Sequence, residues 1–398
     1  MANEAEVFGL PQVIIDFKTK GTTAIKRSAR GIVAMILKNE EEDTSKYYRI
    51  NDVSDIPETG LTAENVDLIK KCLLGTPLRV LVYTLPLNST KTITVETEPE
   101  TEGGEPGTEE QVVSVDTTQA DVLKTLAGVK WNYLCAPTAT EQEQQDLASW
   151  VKSQRHNKRK TFKAVLANQA ADDEGIINFC TNDIKVASGQ DNAGNTTYTT
   201  YTALQYTARI AGILAGLALD RSATYFRLTE VESVEQYEDI DSLIDQGRLL
   251  LIDEMDGDGV KIARACNSLV TFTTDKGEDF RFIKIIEAVD MITDDIHDTF
   301  KKYYVGKVIN DYDHKMLFIT AVMVYFEQIK GNVLDRDGKN FVDIDEAYQA
   351  QYAKLHGEDV EDMSVMEIRK YNTGTNVVLA GSVKPVNAME DLKVTFEM

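Results

Sequence analysis

Histidine is scarce in this chain, with four in 398 residues, at positions 156, 297, 314 and 356. No pair of them forms the His-Glu-x-x-His pattern that sets two zinc ligands one helical turn apart. A glycine-rich phosphate loop ending in Lys-Ser or Lys-Thr is missing, and so is the Gly-x-Ser-x-Gly turn that presents a nucleophilic serine. These gaps leave catalysis without support but do not exclude it. Cysteine is equally sparse: Cys72, Cys135, Cys180 and Cys266 are scattered without metal-ligand spacing and lie among apolar residues. That pattern suits reduced thiols packed in a cytoplasmic protein and excludes a disulfide scaffold. Long apolar runs are missing too. The best, Ile210 to Leu219, is about half of the roughly 20 residues needed to span a bilayer, and the first residues, Met-Ala-Asn-Glu-Ala-Glu, lack the basic start of a secretion signal.

Positive charge is in deficit. Lys and Arg total 42 against 65 Asp and Glu, a formal net charge of −23. Such a surface opposes adsorption to nucleic acid and to anionic membranes, favours solubility and suits a basic protein partner. The one basic cluster, Lys152, Arg155, His156, Lys158, Arg159, Lys160 and Lys163, closes a helix pattern beginning at Glu141. Acid at a helix start and base at its end complement the macrodipole, so the cluster reads as a helix terminus before the strand Phe162 to Leu166.

Three acidic clusters are candidates for metal chemistry. Asp290, Asp294, His297 and Asp298 fall close to one face of a helix, where they could bind a divalent ion, although a solvated acidic face is the simpler reading. Asp335 to Glu346 places carboxylates at the first, third, ninth and twelfth positions of a calcium loop. Lys339 stands where an oxygen ligand belongs and Asn340 where the turn glycine belongs, so a β-hairpin turned at Asp337-Gly338 is the better reading. Asp253, Asp256 and Asp258 at a strand end would serve a metal-dependent α/β enzyme, the main alternative function.

The middle of the chain alternates short apolar strands, at 76–83, 130–135 and 162–166, with helix patterns. This implies an α/β layer. An acidic segment from Thr92 to Asp116, turning at Gly103, Gly104, Pro106 and Gly107, interrupts it as a β-insert. Gly212 and Gly216, four apart in an apolar helix, permit close helix packing in a core. Later, a hairpin spans Gly247 to Phe272, and two amphipathic helices carry Phe282 to Phe300 and Met316 to Ile329. A strand at 377–383 and a last strand end the chain. The expected fold class is α+β (mixed α/β), with five segments: an arm over 1–20, an α/β domain over 21–87 and 121–245, the insert over 88–120, a C-terminal domain over 246–390 and an arm over 391–398.

Both termini alternate with period two. Val13, Ile15 and Phe17 share one face near the start, and Leu392, Val394 and Phe396 share one at the end. Terminal segments bury little and usually fray, so apolar alternation kept at both ends points to strands held in a sheet, this chain's own or a neighbour's.

Several segments, in order along most of the chain, resemble the contractile tail sheath proteins of bacteriophages and phage-tail-like bacteriocins, in the form found in Gram-positive prophages. They are Gly9 to Lys18, Tyr206 to Leu219 with Ser222-Ala-Thr-Tyr225, the Gly247 to Phe272 region with Asn267-Ser-Leu-Val-Thr271, Tyr304 to Asn310 between the two helices, and Lys384 to Glu390. The resemblance implies a structural subunit that polymerises as a helical stack of six-fold rings around a tail tube. Contraction of that sleeve would drive the tube through a target cell envelope. It implies that the two terminal arms leave their own subunit and add strands to neighbours' C-terminal sheets, with hinges near Gly21 and Asn387. It further implies tube contact through the C-terminal domain, where Lys301, Lys302 and Lys307, near Arg281 and Lys284, are the local basic residues. The implied partners are the tail tube protein and the baseplate and tail terminator proteins, with no nucleic acid and no membrane insertion. Assembly would take place in the bacterial host cytoplasm, and the product would be a phage virion or bacteriocin particle. A capsid or baseplate protein is the other self-assembling alternative.

Overall fold

A computed structural model describes residues 24–41, 45–86, 90–97, 107–114, 118–191 and 193–397. The chain begins with β1 (Ile32–Asn39), β2 (Tyr47–Ile50), α1 (Ala63–Leu73) and β3 (Arg79–Pro86), followed by β4 (Thr90–Thr97) and β5 (Gly107–Ser114). Next come α2 (Gln119–Leu126), β6 (Tyr133–Cys135), α3 (Glu141–Lys158), β7 (Lys163–Ala167), β8 (Ile176–Phe179), β9 (Ile184–Gln190) and β10 (Thr196–Tyr201). The order continues with α4 (Ala203–Gly216), β11 (Val231–Ser233), α5 (Ile240–Asp245), β12 (Arg248–Leu249), β13 (Leu251–Ile252) and β14 (Lys261–Ile262). The last elements are α6 (Ile283–Tyr303), α7 (Tyr312–Ile329), β15 (Phe341–Ile344), α8 (Glu346–Leu355), α9 (Val365–Lys370) and β16 (Leu379–Ser382).

Two compact units result. The larger holds 26–298, 329–339 and 383–397, and the smaller holds 24–25, 299–328 and 340–382, so the chain passes between them after Ile25, Asp298, Gln328, Lys339 and Ser382. The expected boundary at 245/246 is not where the units divide, because residues 246–298 pack with the α/β layer.

The larger unit is built on a seven-stranded sheet in the order β12-β8-β7-β6-β1-β3-β2, parallel except for the antiparallel edge strand β2. Helices cover both faces. On one, α1 and α4 pack over Val33, Met35, Leu37, Val80 and Val82. On the other, α2 and α3 pack over Ile32, Ala34, Ile36, Leu81 and Leu134. Because β1 is buried on both faces, its side chains Ile32 to Leu37 form one continuous apolar run rather than an alternation. Strand-helix alternation in the sequence therefore led to the correct layer, while β1 itself carried no period to detect.

Gly212 and Gly216 do permit a close approach. A Cβ on Gly212 would lie 2.0 Å from the Cys72 carbonyl oxygen, and one on Gly216 would lie 1.8 Å from that of Gly75. The acidic insert is an antiparallel pair, β4 with β5, running from Thr90↔Ser114 to Thr97↔Gly107. The hairpin expected over 247–272 shrinks to the two-residue pair β13 and β14, because β12 instead joins the large sheet beside β8.

In the smaller unit β15 pairs antiparallel with β16, from Phe341↔Ser382 to Ile344↔Leu379. The hairpin expected at Asp337-Gly338 does not form, since the partner of β15 lies over thirty residues downstream. Phe300 and Tyr304 each pack edge to face on Phe318, at 5.2 and 4.8 Å between ring centroids. The Lys315 ammonium is buried and donates to Gln349 Oε1 at 3.1 Å and Thr373 Oγ1 at 3.2 Å. No strand forms over 391–397.

Candidate functional site

The acidic stripe of α6 is engaged by partners along its length, and only its last member, Asp298, stays about half exposed. Asp290 accepts from both terminal nitrogens of Arg155, each at 3.1 Å, and from the Lys163 ammonium at 2.7 Å. Glu287, one turn earlier, accepts from Tyr133 Oη at 2.6 Å and from Lys163 at 3.0 Å, and pairs with Arg30. Asp294 accepts from Thr161 Oγ1 at 2.8 Å with Lys130 at 3.4 Å. Asp298 accepts from Ser28 Oγ at 2.6 Å and Lys130 at 2.7 Å, and Asp295 accepts from the Ser28 amide. Tyr133 and Lys163 are the first residues of β6 and β7, so the acidic face of α6 is seated on the amino ends of the parallel strands. Ligand clefts of open α/β sheets lie at the opposite, carboxyl ends. Burial alone would raise the Glu287 carboxyl, but the charges of Lys163 and Arg30 and the Tyr133 hydrogen bond hold it down at about 2. Asp298 is held at about 2 against burial by hydrogen bonds from Lys130 and Ser28.

The solvated-face reading is thus corrected, and the metal reading loses its ligands, because the carboxylates are committed to cations and hydroxyls. His297 is largely exposed and reaches only Asp298, at 3.3 Å. Two of the seven residues in the basic cluster expected at a helix terminus prove to be the other half of this ionic joint: α3 does end there, but Arg155 and Lys163 turn inward.

The remaining acidic clusters are likewise occupied. Asp335 pairs with Lys384 at 2.8 Å, and Asp343 takes a two-pronged contact from Arg369, which also reaches Glu346 at 2.7 Å. With cations on the first, ninth and twelfth positions, no calcium cage exists. Asp253 and Asp256 accept from amides two residues on, of Met255 and Asp258, which makes them turn residues. His156, Asp173 and Glu174 bring ligand atoms within 4.8 Å of one another, but both Glu174 oxygens hold Lys276 at 2.8 Å and Asp173 holds His156 and the Gly175 amide. All four cysteines are buried free thiols; burial pushes Cys72 up to about 12, far from a reactive thiolate.

Lys301 and Lys302 are exposed in the last turn of α6, followed by the exposed apolar residues Val305 and Ile309. Lys307 turns back, donating to the Lys302 carbonyl at 2.6 Å, which caps the helix end. Arg281 and Lys284 do not extend this surface: Lys284 is buried with its ammonium on the Leu219 carbonyl, and Arg281 donates to the Ile244 carbonyl.

Val13, Ile15, Phe17 and Gly21 lie outside the described residues. At the other end Leu392, Val394 and Phe396 are 90, 56 and 87% exposed. Asn387 is exposed, its side-chain oxygen accepting from the Ala388 amide. The segment 387–390 is not loose throughout, however. Glu390 reaches the hydroxyls of Ser222 and Thr224, and Asp391 pairs with Arg264. Neither contact was foreseen, although Ser222-Ala-Thr-Tyr225 stood out in the sequence.

Family models of the phage tail sheath protein central domain and the phage tail sheath C-terminal domain match residues 114–268 and 275–398. A tail sheath protein of Clostridium phage phiCD119 is 36% identical over 403 residues, covering 98% of this chain and 99% of the relative. Among solved structures, the sheath tail protein of Desulfitobacterium hafniense matches with a TM-score of 0.60 at 20% identity, covering 84% of this chain and 94% of that one. The helical sheath of the anti-feeding prophage, in its contracted state, matches with a TM-score of 0.65 at 12% identity, covering 98% and 99%.

Proposed function

Because this chain belongs to the phage tail sheath protein family, we propose that its subunits are knitted into a sleeve by their terminal arms and grip a tail tube through the end of α6. The chain is a structural subunit of a contractile sheath and not an enzyme. Sheath proteins assemble as helical homo-oligomers, and this subunit is a virion component.

The observation that carries the arm reading is the state of residues 392–397. They present alternate large apolar side chains to solvent, and no strand pairs with them among the described residues. An acceptor of the right kind exists in β15 and β16, which among the described residues pair only with each other. A two-stranded ribbon of four-residue strands is marginal by itself, and each open edge can take a further strand. Strand addition from Val13, Ile15 and Phe17 of one neighbour and Leu392, Val394 and Phe396 of another would fill those edges. Backbone hydrogen bonds would hold the joint and alternate side chains would set its register. Segments near Gly21 and beyond Glu390 would flex while bodies slide and rotate.

Repacking from an extended, metastable sleeve to a shorter and wider one needs no cofactor. A few kcal/mol per subunit behind a kinetic barrier, summed along a polymer, can drive the tube. The rings would be six-fold, with the tail tube protein, baseplate and terminator as partners and assembly in the host cytoplasm.

Negative-stain electron microscopy of the concentrated protein, with and without its tube protein, tests the reading: hollow, helically striated sleeves are expected. Removing residues 1–20 or 391–398 should give a folded monomer that does not polymerise. Normal sleeves from either truncation would overturn the exchange mechanism.

A further inference from the structure

We propose that Glu390 is a positioning residue for the C-terminal arm, pinning its root to the Ser222–Tyr225 turn and placing the pivot at the Asp391–Leu392 junction. The proposal rests on the arm reading above and moves the hinge a few residues beyond Asn387.

The pin is built from both sides. The Glu390 side chain is only 7% exposed, and its Oε1 accepts from Ser222 Oγ and Thr224 Oγ1, each at 2.8 Å. Those hydroxyls are aimed by backbone donors: the Thr224 amide donates to Ser222 Oγ at 3.1 Å, and the Ala265 amide donates to Thr224 Oγ1 at 3.0 Å. Each hydroxyl thus accepts from the backbone, which leaves the Thr224 proton for the carboxylate, while the Ser222 proton lies between Glu390 Oε1 at 2.8 Å and Thr224 Oγ1 at 3.1 Å. Arg264 then spans two successive acids, with Nε 3.6 Å from Glu390 Oε2 and Nη2 on Asp391. A hydrogen bond from the Val386 amide to the Val333 carbonyl, at 2.9 Å, holds the segment before the pin. Between the two anchors the chain bulges into solvent, where Met389 is fully exposed.

The geometry sets reach. An arm free from Leu392 onward extends about 20 Å at roughly 3.3 Å per residue, whereas one free from Asn387 onward would extend about 40 Å. A pinned root confines the arm to about half the distance, so a neighbour's sheet edge is found with less ordering entropy to lose.

Hydrogen exchange on the full chain, below its polymerisation concentration, tests the pin directly. E390A should raise amide exchange over 387–391 at least tenfold and leave the seven-stranded sheet unchanged. The S222A/T224V double variant should do the same, and combining the two should add little, because both remove one contact. Unchanged exchange at 387–391 in E390A would overturn the pin. Sedimentation then separates positioning from mere anchoring: E390A should need about tenfold more protein to polymerise. Raised exchange with unaltered polymerisation would overturn the positioning role. If the chain lacking 391–398 polymerises normally, the arm reading itself fails, whatever E390A does to exchange.

Discussion

Glu287 shows how much one side chain contributes when its partners come from distant parts of the chain. Its carboxylate meets Arg30 before β1, Tyr133 on β6 and Lys163 on β7, and removing it would leave Lys163, which is nearly fully buried, with Asp290 as its one remaining close carboxylate. Breaking a buried ionic contact from one side costs roughly 3 kcal/mol, so Glu287→Gln should lower stability by about that at pH 7. The pH dependence has a definite sign. In the unfolded chain the group titrates near 4.5, and in the folded one near 2. Between those values the unfolded state binds more protons, so the stabilisation is complete above about 4.5 and is lost as pH falls toward 2. Melts followed by circular dichroism should therefore fall steeply across that window for the parent and less steeply for Glu287→Gln. Parallel curves would show that Glu287 does not carry the effect.

At the scale of elements, α4 lies against the end of α1 because Gly212 and Gly216 present bare backbone to the Cys72 and Gly75 carbonyls. Backbone cannot move aside as a flexible side chain can, so Gly212→Ala should cost on the order of 3 kcal/mol. Gly277→Ala, with nothing within 4 Å of the added methyl, should change stability by about 0.5 kcal/mol or less. Comparing the two denaturant midpoints checks this, and equal losses would refute it. The glycine spacing was legible because it is local. So were α6 and α7, whose apolar residues recur every three or four positions, and the β4–β5 ribbon, marked by the glycines between its strands in sequence. The central strand β1 was not, since burial on both faces erases the alternation that marks a strand. The acidic stripe on α6 was visible but its meaning was not: Asp290 and Lys163 are 127 residues apart. Nothing in either segment announces the other. The same distance hid Glu390, 168 residues from Ser222.

For the whole molecule, charge sets the terms of assembly. Subunits of formal charge −23 repel one another at long range, a cost that apolar and hydrogen-bonded contacts such as the proposed strand addition would offset. Against that background the exposed lysines at the end of α6 stand out as a local reversal of sign. Converting Lys301, Lys302 and Lys307 to glutamate should weaken attachment to the tube more than self-association, measured by co-sedimentation and by sleeve formation without the tube. Equal loss of both would count against the assignment.

The route of the chain between its two compact units carries one more implication. Because the backbone passes across after Ile25, Asp298, Gln328, Lys339 and Ser382, the units are joined by several covalent tethers in parallel rather than by one linker. A protease that nicks the chain at any single crossing therefore leaves the halves attached. In a contractile sheath, such redundancy means that a cut subunit can still bear tension.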